Sequence, residues 1–346
     1  MRTKNVNAVN DSETFWNVSK EFITRHLPDI RKASVNTVEA YRNGLNQYID
    51  YLELNKGIHR EDLTFAYFSR ENLKDFLDWM SNDKKYADKT CNLRLTAIHS
   101  LLEYAGHEYS VEIMPLYLAA VSVKCLKIRS GPIEYFETVQ MKALLSAPDI
   151  STKTGRRNRM MLILYYDTAA RNSELTEATY SQLHLDADVP YLTVLGKGRK
   201  YRNIPLMEKT VKHLKVYLGE FHPEKNGETP LFYATTYGQK HRLSSDTVEV
   251  MIKKYSSLCQ EAGVVMPEKP ICHMIRKTRA MDLYKSGMPL SHIQQLLGHE
   301  NMSTTSGFYA FVTLDTLAKS MKTANQCSTE NKKWSNKEIL QKIYRL

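Results

Sequence analysis

Residues Ile271–Phe311 read ICHMIRKTRAMDLYKSGMPLSHIQQLLGHENMSTTSGFYAF. The run opens as a helix in which His273 and Arg276 stand three positions apart, so both project from one face and can be aimed at one anion. A second helix is predicted to open at Pro289, whose fixed φ suits a first turn, and to stop at Gly298, which suits the left-handed residue after a helix end. Leu290, Ile293, Leu296 and Leu297 fall on one stripe that would seat this helix on a core. His299 then follows on a stiff corner whose position is fixed, and Tyr309 comes after a polar, Thr-rich loop. Singly, each feature has an ordinary reading: a solvated helix face, a histidine suited to the negative end of a helix dipole, one tyrosine among 21. Their conjunction in this order carries the information.

Working outward, TVKHLKVYLGEF and DTVEVMIKKYSSLCQEAG read as helices, and VPYLTVLGKGRKYRNIPL as a β-hairpin whose β-rich runs flank a Gly-Lys-Gly-Arg-Lys turn. RNRMMLILYYDTAARNSELTEAT holds a buried helix around Met161 to Tyr165, and TVQMKALLSAPD a capped one. SVKCLKIRSGPIEYF breaks the periodicity, carries Lys124, Lys127 and Arg129 and ends in Gly131-Pro132, which predicts a basic interdomain linker over 123–133.

Before it, residues 13–122 read as a bundle of four or five helices. One has Val38, Tyr41, Leu45, Tyr48, Ile49 and Leu52 inward, with Asn36 as its cap and Glu39 in the reciprocal position. The next is capped by Ser69, with Leu73, Phe76, Leu77 and Met80 inward; another puts Leu93, Ala97, Leu101 and Leu102 inward. Residues 1–12 read as a disordered polar lead. At the other end, a polar gap precedes NKEILQKIYRL, whose Ile339, Leu340, Ile343 and Tyr344 form a small apolar helix face in a tail over 323–346.

The chain's 346 residues suit two domains of ordinary size. Its 48 Lys and Arg against 38 Asp and Glu give a formal charge of +10 and favour a polyanionic partner such as nucleic acid. Cys91, Cys125, Cys259, Cys272 and Cys327 are scattered, odd in number and without CxxC spacing, as expected of a chain in a reducing cytoplasm. The opening is polar and no apolar run approaches the roughly 18 residues that span a bilayer, so neither a signal peptide nor a membrane partner is expected.

HMIR, then LLGHENMSTT, then FYAF closely resembles the C-terminal signature of the tyrosine recombinase (phage integrase) family. The resemblance covers about residues 14–322, because SVNTVEAYRNGL also resembles the family's N-terminal core-binding domain. It implies a mainly α fold with a small β-sheet: a helical, SAM-like core-binding bundle followed by an α+β catalytic domain over 134–322. It further implies an arginine in a turn between two helices, which DTAARNSELTEATYSQL supplies at Arg171 in a segment like the family's Thr-Gly-x-Arg-x-x-Glu-Leu. Ala169 stands where that pattern has Gly, and is expected to avoid a positive φ because it could adopt one only under strain. A hairpin lysine is implied too; Lys197 matches the Gly-Lys-Gly position, with Arg199 and Lys200 as rivals on the same turn. Ten residues separate His299 and Tyr309 where many members have nine.

What the resemblance implies chemically is site-specific DNA recombination through a 3′-phosphotyrosine, with no cofactor, metal or small-molecule substrate. Tyr309 would be the nucleophile and His273 its base. Arg171 and Arg276 would balance charge on the phosphate, His299 would add a donor, and Lys197 would protonate the departing 5′ oxygen. The expected role is integrase or transposase of a bacterial mobile element, acting on double-stranded DNA as a tetramer. Thr90, Asn92 and Arg94, on one helix, are candidate major-groove readers, and Lys127 and Arg129 candidate backbone contacts. Two other readings share these residues: a type IB topoisomerase, and a catalytically silent DNA-binding protein on the same fold. A zinc site at Cys272, His273 and His299 lacks ligand spacing, since adjacent residues on a helix point apart.

Overall fold

The computed structural model describes residues 8–128, 134–196 and 200–298, and the chain divides into two compact units, Met1–Gly131 and Pro132–Leu346. Arg129, Lys197, Arg199, His299, Tyr309 and the predicted tail helix lie outside the described residues.

The first unit is built of α1 (Ser12–Glu21), α2 (Val35–Lys56), α3 (Arg70–Asp78), α4 (Asp88–Tyr104) and α5 (Met114–Val121). After α1 the chain winds on through Phe22–Ile30 with wider, π-type hydrogen bonding that contains Pro28. Side chains cap three helix starts: Asp11 accepts from the Thr14 amide, Ser34 from Thr37 and Ser69 from Asn72. Aromatic rings fill the core: Phe15, Phe22, Tyr48, Phe65, Phe68 and Phe76 are each almost wholly enclosed, and the Tyr48 hydroxyl donates to the Tyr67 carbonyl at 2.7 Å.

Three expectations need correction here. The α2 cap is Ser34, not Asn36, because the chain is already helical from Val35. Leu93 is 41 % exposed; the buried stripe of α4 is Cys91, Leu95, Ile98 and Leu102, one register over, with Ala97 and Leu101 beside it. Residues 8–12 do not belong to a disordered lead, since the Ala8 amide donates to Glu112 at 3.1 Å and Val9 packs on the core. Asn92 and Arg94, the candidate groove readers, are half-buried and make hydrogen bonds within this unit. Asn92 donates to the Leu126 carbonyl at 2.9 Å and accepts from its amide at 2.7 Å, which straps the start of the linker to α4. Arg94 donates to Gln47 and the Ala40 carbonyl on α2. Thr90 is half-buried, and Lys127 is exposed.

The second unit runs α6 (Thr138–Ser146), α7 (Lys153–Thr168), α8 (Asn172–Thr176), β1 (Leu183–His184), β2 (Tyr191–Leu195), β3 (Tyr201–Pro205), α9 (Glu208–Phe221), β4 (Tyr233–Thr236), β5 (Gln239–Arg242), α10 (Ser245–Glu261), α11 (Cys272–Lys285) and α12 (Leu290–Leu297). The predicted hairpin is β2–β3, antiparallel, with Leu192 opposite Ile204; β1 adds a third strand in the order β1-β2-β3. The short β4–β5 hairpin was not expected from the sequence. Its strands are mostly solvent-facing, so they lack the apolar alternation that marks a half-buried strand. Helix α7 is longer than the apolar run Met161–Tyr165, and its Met161, Leu162, Leu164 and Tyr165 pack among α9, α10, α11 and the inner face of the sheet. A smaller apolar cluster, Ala169, Ala280, Ile293 and Leu297, seats α12.

The ends of two helices decide where the polar groups go. Gly298 takes φ +61° after α12, as the sequence predicts, while Pro289 is the cap before α12 and not its first helical residue. Ala169 closes α7 at φ +49° and ψ +28°, against expectation: the left-handed closure is made by an alanine, at about 1–2 kcal/mol. Its methyl group is fully buried in the small cluster, which offsets part of that cost. Ala169→Gly should therefore change stability by less than about 1 kcal/mol in urea unfolding, whereas Ala97→Gly, inside α4 at an ordinary helical φ, should cost about 1–2 kcal/mol. Equal losses at both positions would show that residue 169 is not held left-handed.

Candidate active site

Helix α12 is short, so the four carbonyls at its C-terminal end dominate its needs. Three consecutive carbonyls there each receive an arginine from a different element. Arg202 on β3 donates Nε to Leu296 at 3.1 Å, Arg276 on α11 donates Nη2 to Leu297 at 2.6 Å, and Arg171, in the turn between α7 and α8, donates Nη2 to Gly298 at 3.0 Å. Cations suit this end of a helix dipole as well as its orphan acceptors. Arg276 also donates Nη1 to the Ala169 carbonyl at 2.8 Å, so the left-handed closure of α7 aims a carbonyl at it.

Glu174 holds this group together from the other side. Its carboxylate is 4 % exposed and accepts from Arg202 Nη1 at 2.6 Å and Nη2 at 2.7 Å, from Arg171 Nη1 at 2.7 Å and from the Arg171 amide at 2.7 Å. Burial by itself would raise its pKa; the Arg202 hydrogen bonds, the Arg171 amide and the two positive charges outweigh that and bring it down to about 2. Three guanidiniums against one carboxylate leave a positive surplus among these groups. Arg276 is 3 % exposed and lies deepest, while the Arg171 side chain is 30 % exposed and opens toward solvent. In the bonds among the described residues the Arg171 Nε is unused, which leaves a donor for an anion.

His273 sits in the first turn of α11, exposed, one turn before Arg276. The start of α11 is fixed by Glu249 of α10, which accepts from the Cys272 amide at 3.0 Å. Burial first, then the Glu249 charge, pushes the Cys272 thiol up to about 12. The structure thus brings Arg171, His273 and Arg276 onto elements that meet at the end of α12. It places Gly196 and Gly298 there as well, the residues immediately before Lys197 and His299.

Two residues of this site were missed in the sequence, Glu174 and Arg202. Both left a signal. Glu174 is three positions after Arg171, where a carboxylate caps a helix start, and Arg202 shares the inward face of β3 with Ile204. An arginine at an inward strand position needs a buried partner.

Comparison with known proteins bears on the same residues. A family profile described as the phage integrase family matches residues 134–314, and one for the phage integrase N-terminal SAM-like domain matches 21–109. A protein of Sinorhizobium fredii named as an integrase/recombinase, y4rC, is 30 % identical over 290 residues, covering 83 % of this chain and 84 % of its own. The tyrosine recombinase XerC of Chlamydia caviae is 27 % identical over 297 residues, covering 81 % of this chain and 90 % of its own. Among solved structures, the XerH site-specific recombinase bound to a palindromic difH substrate shares the fold at a TM-score of 0.63 and 20 % identity, over 90 % of this chain and 84 % of its own. The Tn1549 transposon integrase in complex with a circular intermediate DNA does so at 0.63 and 17 %, over 88 % and 97 %.

The Glu174 carboxylate makes stability depend on acid. Its folded pKa is depressed, from 4.5 to about 2, so its contribution is complete above pH 4.5 and is lost as pH falls toward 2. That contribution is roughly 3 kcal/mol. Glu174→Gln should be less stable than the parent at pH 7, with the gap narrowing between pH 4.5 and 2 in denaturant titrations at each pH. A gap independent of pH would show that the carboxylate is not held ionised by the arginines.

Proposed function

Because the chain belongs to the phage integrase family and is a tyrosine-type site-specific recombinase, we propose that it cuts and rejoins double-stranded DNA through a 3′-phosphotyrosine on Tyr309. The observation that carries this reading is the convergence of Arg171 and Arg276 on adjacent carbonyls at the end of α12, one residue from His299. In attack, the Tyr309 oxygen bonds to phosphorus as its proton passes to His273, because a phenol of pKa about 10 is a poor nucleophile at neutral pH. Charge on the non-bridging oxygens is met by the forked donors of the arginines and by His299. The 5′ oxygen leaves with a proton from Lys197. Reversal of these transfers rejoins the strand, and the phosphotyrosine conserves the bond energy, so no nucleotide cofactor is needed.

The partner is a DNA duplex, with four copies assembling on two sites and the tail over 323–346 passing between copies. Lys127 and Arg129 contact the phosphate backbone. With Asn92 and Arg94 tied inside the bundle, Thr90 is left as the groove-facing candidate on α4. Integration or transposition of a mobile element is the proposed role, supported by the 30 % identical integrase/recombinase.

Tyr309→Phe should bind DNA normally and form no covalent adduct on a nicked suicide substrate, since only the attacking oxygen is removed. An adduct at normal yield would overturn the assignment, and relaxation of supercoiled DNA without a preferred site would favour a topoisomerase. Arg171→Ala should slow adduct formation by about 10² to 10³ fold, the usual cost of one lost transition-state donor.

Lys197 can be tested chemically, because a general acid matters only while the leaving group is poor. Lys197→Ala should be slow on normal DNA and largely restored on a substrate whose leaving 5′ oxygen is replaced by sulfur. If Lys200→Ala shows that pattern instead, Lys200 is the acid.

A further inference from the structure

Arg202 lies where the parts of the proposed site that come from distant stretches of chain meet. Its guanidinium forks onto both oxygens of Glu174 at 2.6 and 2.7 Å, and its Nε donates to the Leu296 carbonyl at 3.1 Å. Its side chain is 14 % exposed, and the bonds to Glu174 and Leu296 use all three of its nitrogens. Two glycines lie against it. A Cβ on Gly298 would come within 3.0 Å of Arg202 Nη1, 3.1 Å of Cδ and 3.2 Å of Cζ, and one on Gly196 would come within 3.3 Å of Nη1. Gly298 precedes His299 and Gly196 precedes Lys197. Glu174, in turn, holds the Arg171 guanidinium and amide.

From this geometry, and resting on the recombinase reading above, we propose that Arg202 is a positioning residue that sets the Lys197 hairpin and the Arg171–His299 side of the site in one register. It touches no phosphate. Through β3 and Gly196 it fixes the residue before Lys197; through Glu174, Leu296 and Gly298 it fixes Arg171 and the residue before His299. A lysine cannot replace it, because a single ammonium cannot fork across a carboxylate and also hold a third acceptor. Displacement of reacting groups by about 1 Å can cost 10²-fold in rate. Arg202 therefore couples protonation of the leaving group to stabilisation of the phosphate.

The test is adduct formation by Arg202→Lys on two suicide substrates, one normal and one with sulfur at the leaving 5′ position, beside Lys197→Ala and Arg171→Ala. Single-site DNA binding and thermal melting are followed in parallel. Arg202→Lys should bind within about threefold of the parent and cut normal DNA about 10²-fold more slowly. On the sulfur substrate the deficit should shrink by about tenfold without vanishing, since only the part acting through Lys197 is bypassed. Complete restoration, as for Lys197→Ala, would confine Arg202 to the hairpin and overturn the coupling. No restoration, as for Arg171→Ala, would confine it to the other side and do the same. A loss of cutting that merely follows a loss of binding or melting temperature would make Arg202 structural only. If Arg202→Lys does not fold, Arg202→Gln, which keeps a planar donor, is read by the same criteria. Absence of any adduct from the unchanged protein would overturn the recombinase reading itself.

Discussion

The last carbonyls of α12 are the constraint on which the second unit's chemistry depends. A short helix seated by Ile293 and Leu297 leaves acceptors at its end that must be satisfied. Arginines from β3, from α11 and from the turn after α7 satisfy three of them, so a structural need of one helix gathers cations from three distant segments. Hydrogen bonds to charged groups contribute about 1.5–3 kcal/mol each. The same bonds that finish the helix orient Arg171 and Arg276.

Gathering three guanidiniums is unfavourable without a counter-charge, and Glu174 supplies one. Its position as the third residue of α8 lets the carboxylate also accept from the Arg171 amide, so the helix start and the ion pairs are built with one group. One carboxylate does not neutralise three cations, and the surplus suits a phosphate. Arg276, enclosed and bound to two carbonyls, has little freedom to reorganise; Arg171 retains exposure and, among the described residues, an unused donor. The site is thus pre-organised in depth and open at its surface, the arrangement electrostatic stabilisation requires.

The first unit shows a different economy. Its polar side chains at α4 serve the bundle: Asn92 straps the chain at Leu126 and Arg94 joins α4 to α2. An exposed-looking Asn-x-Arg on a helix reads equally well as a groove reader or as internal ties, because the pattern reports the helix face and not the neighbour opposite it. The structure shows the ties. Leu93 makes the same point for an apolar residue: it lies on the face of α4 nearly opposite the buried stripe of Cys91, Leu95, Ile98 and Leu102.

The sequence by itself determined the main helices, the two-unit division, the β2–β3 hairpin and the end of α12 at Gly298, because periodicity, caps and turn residues act over a few positions. Through its motifs it also determined the family, and with it Arg171, His273 and Arg276 as site residues to look for. Tertiary structure alone decided that Ala169 is left-handed, since its strain is offset by burial against Ala280, Ile293 and Leu297, which come from far along the chain. It alone decided that Glu174 and Arg202 belong to the site. A buried carboxylate and an inward arginine can be suspected from spacing, but which charge meets which depends on three elements closing around one helix end, and that is a property of the packed fold.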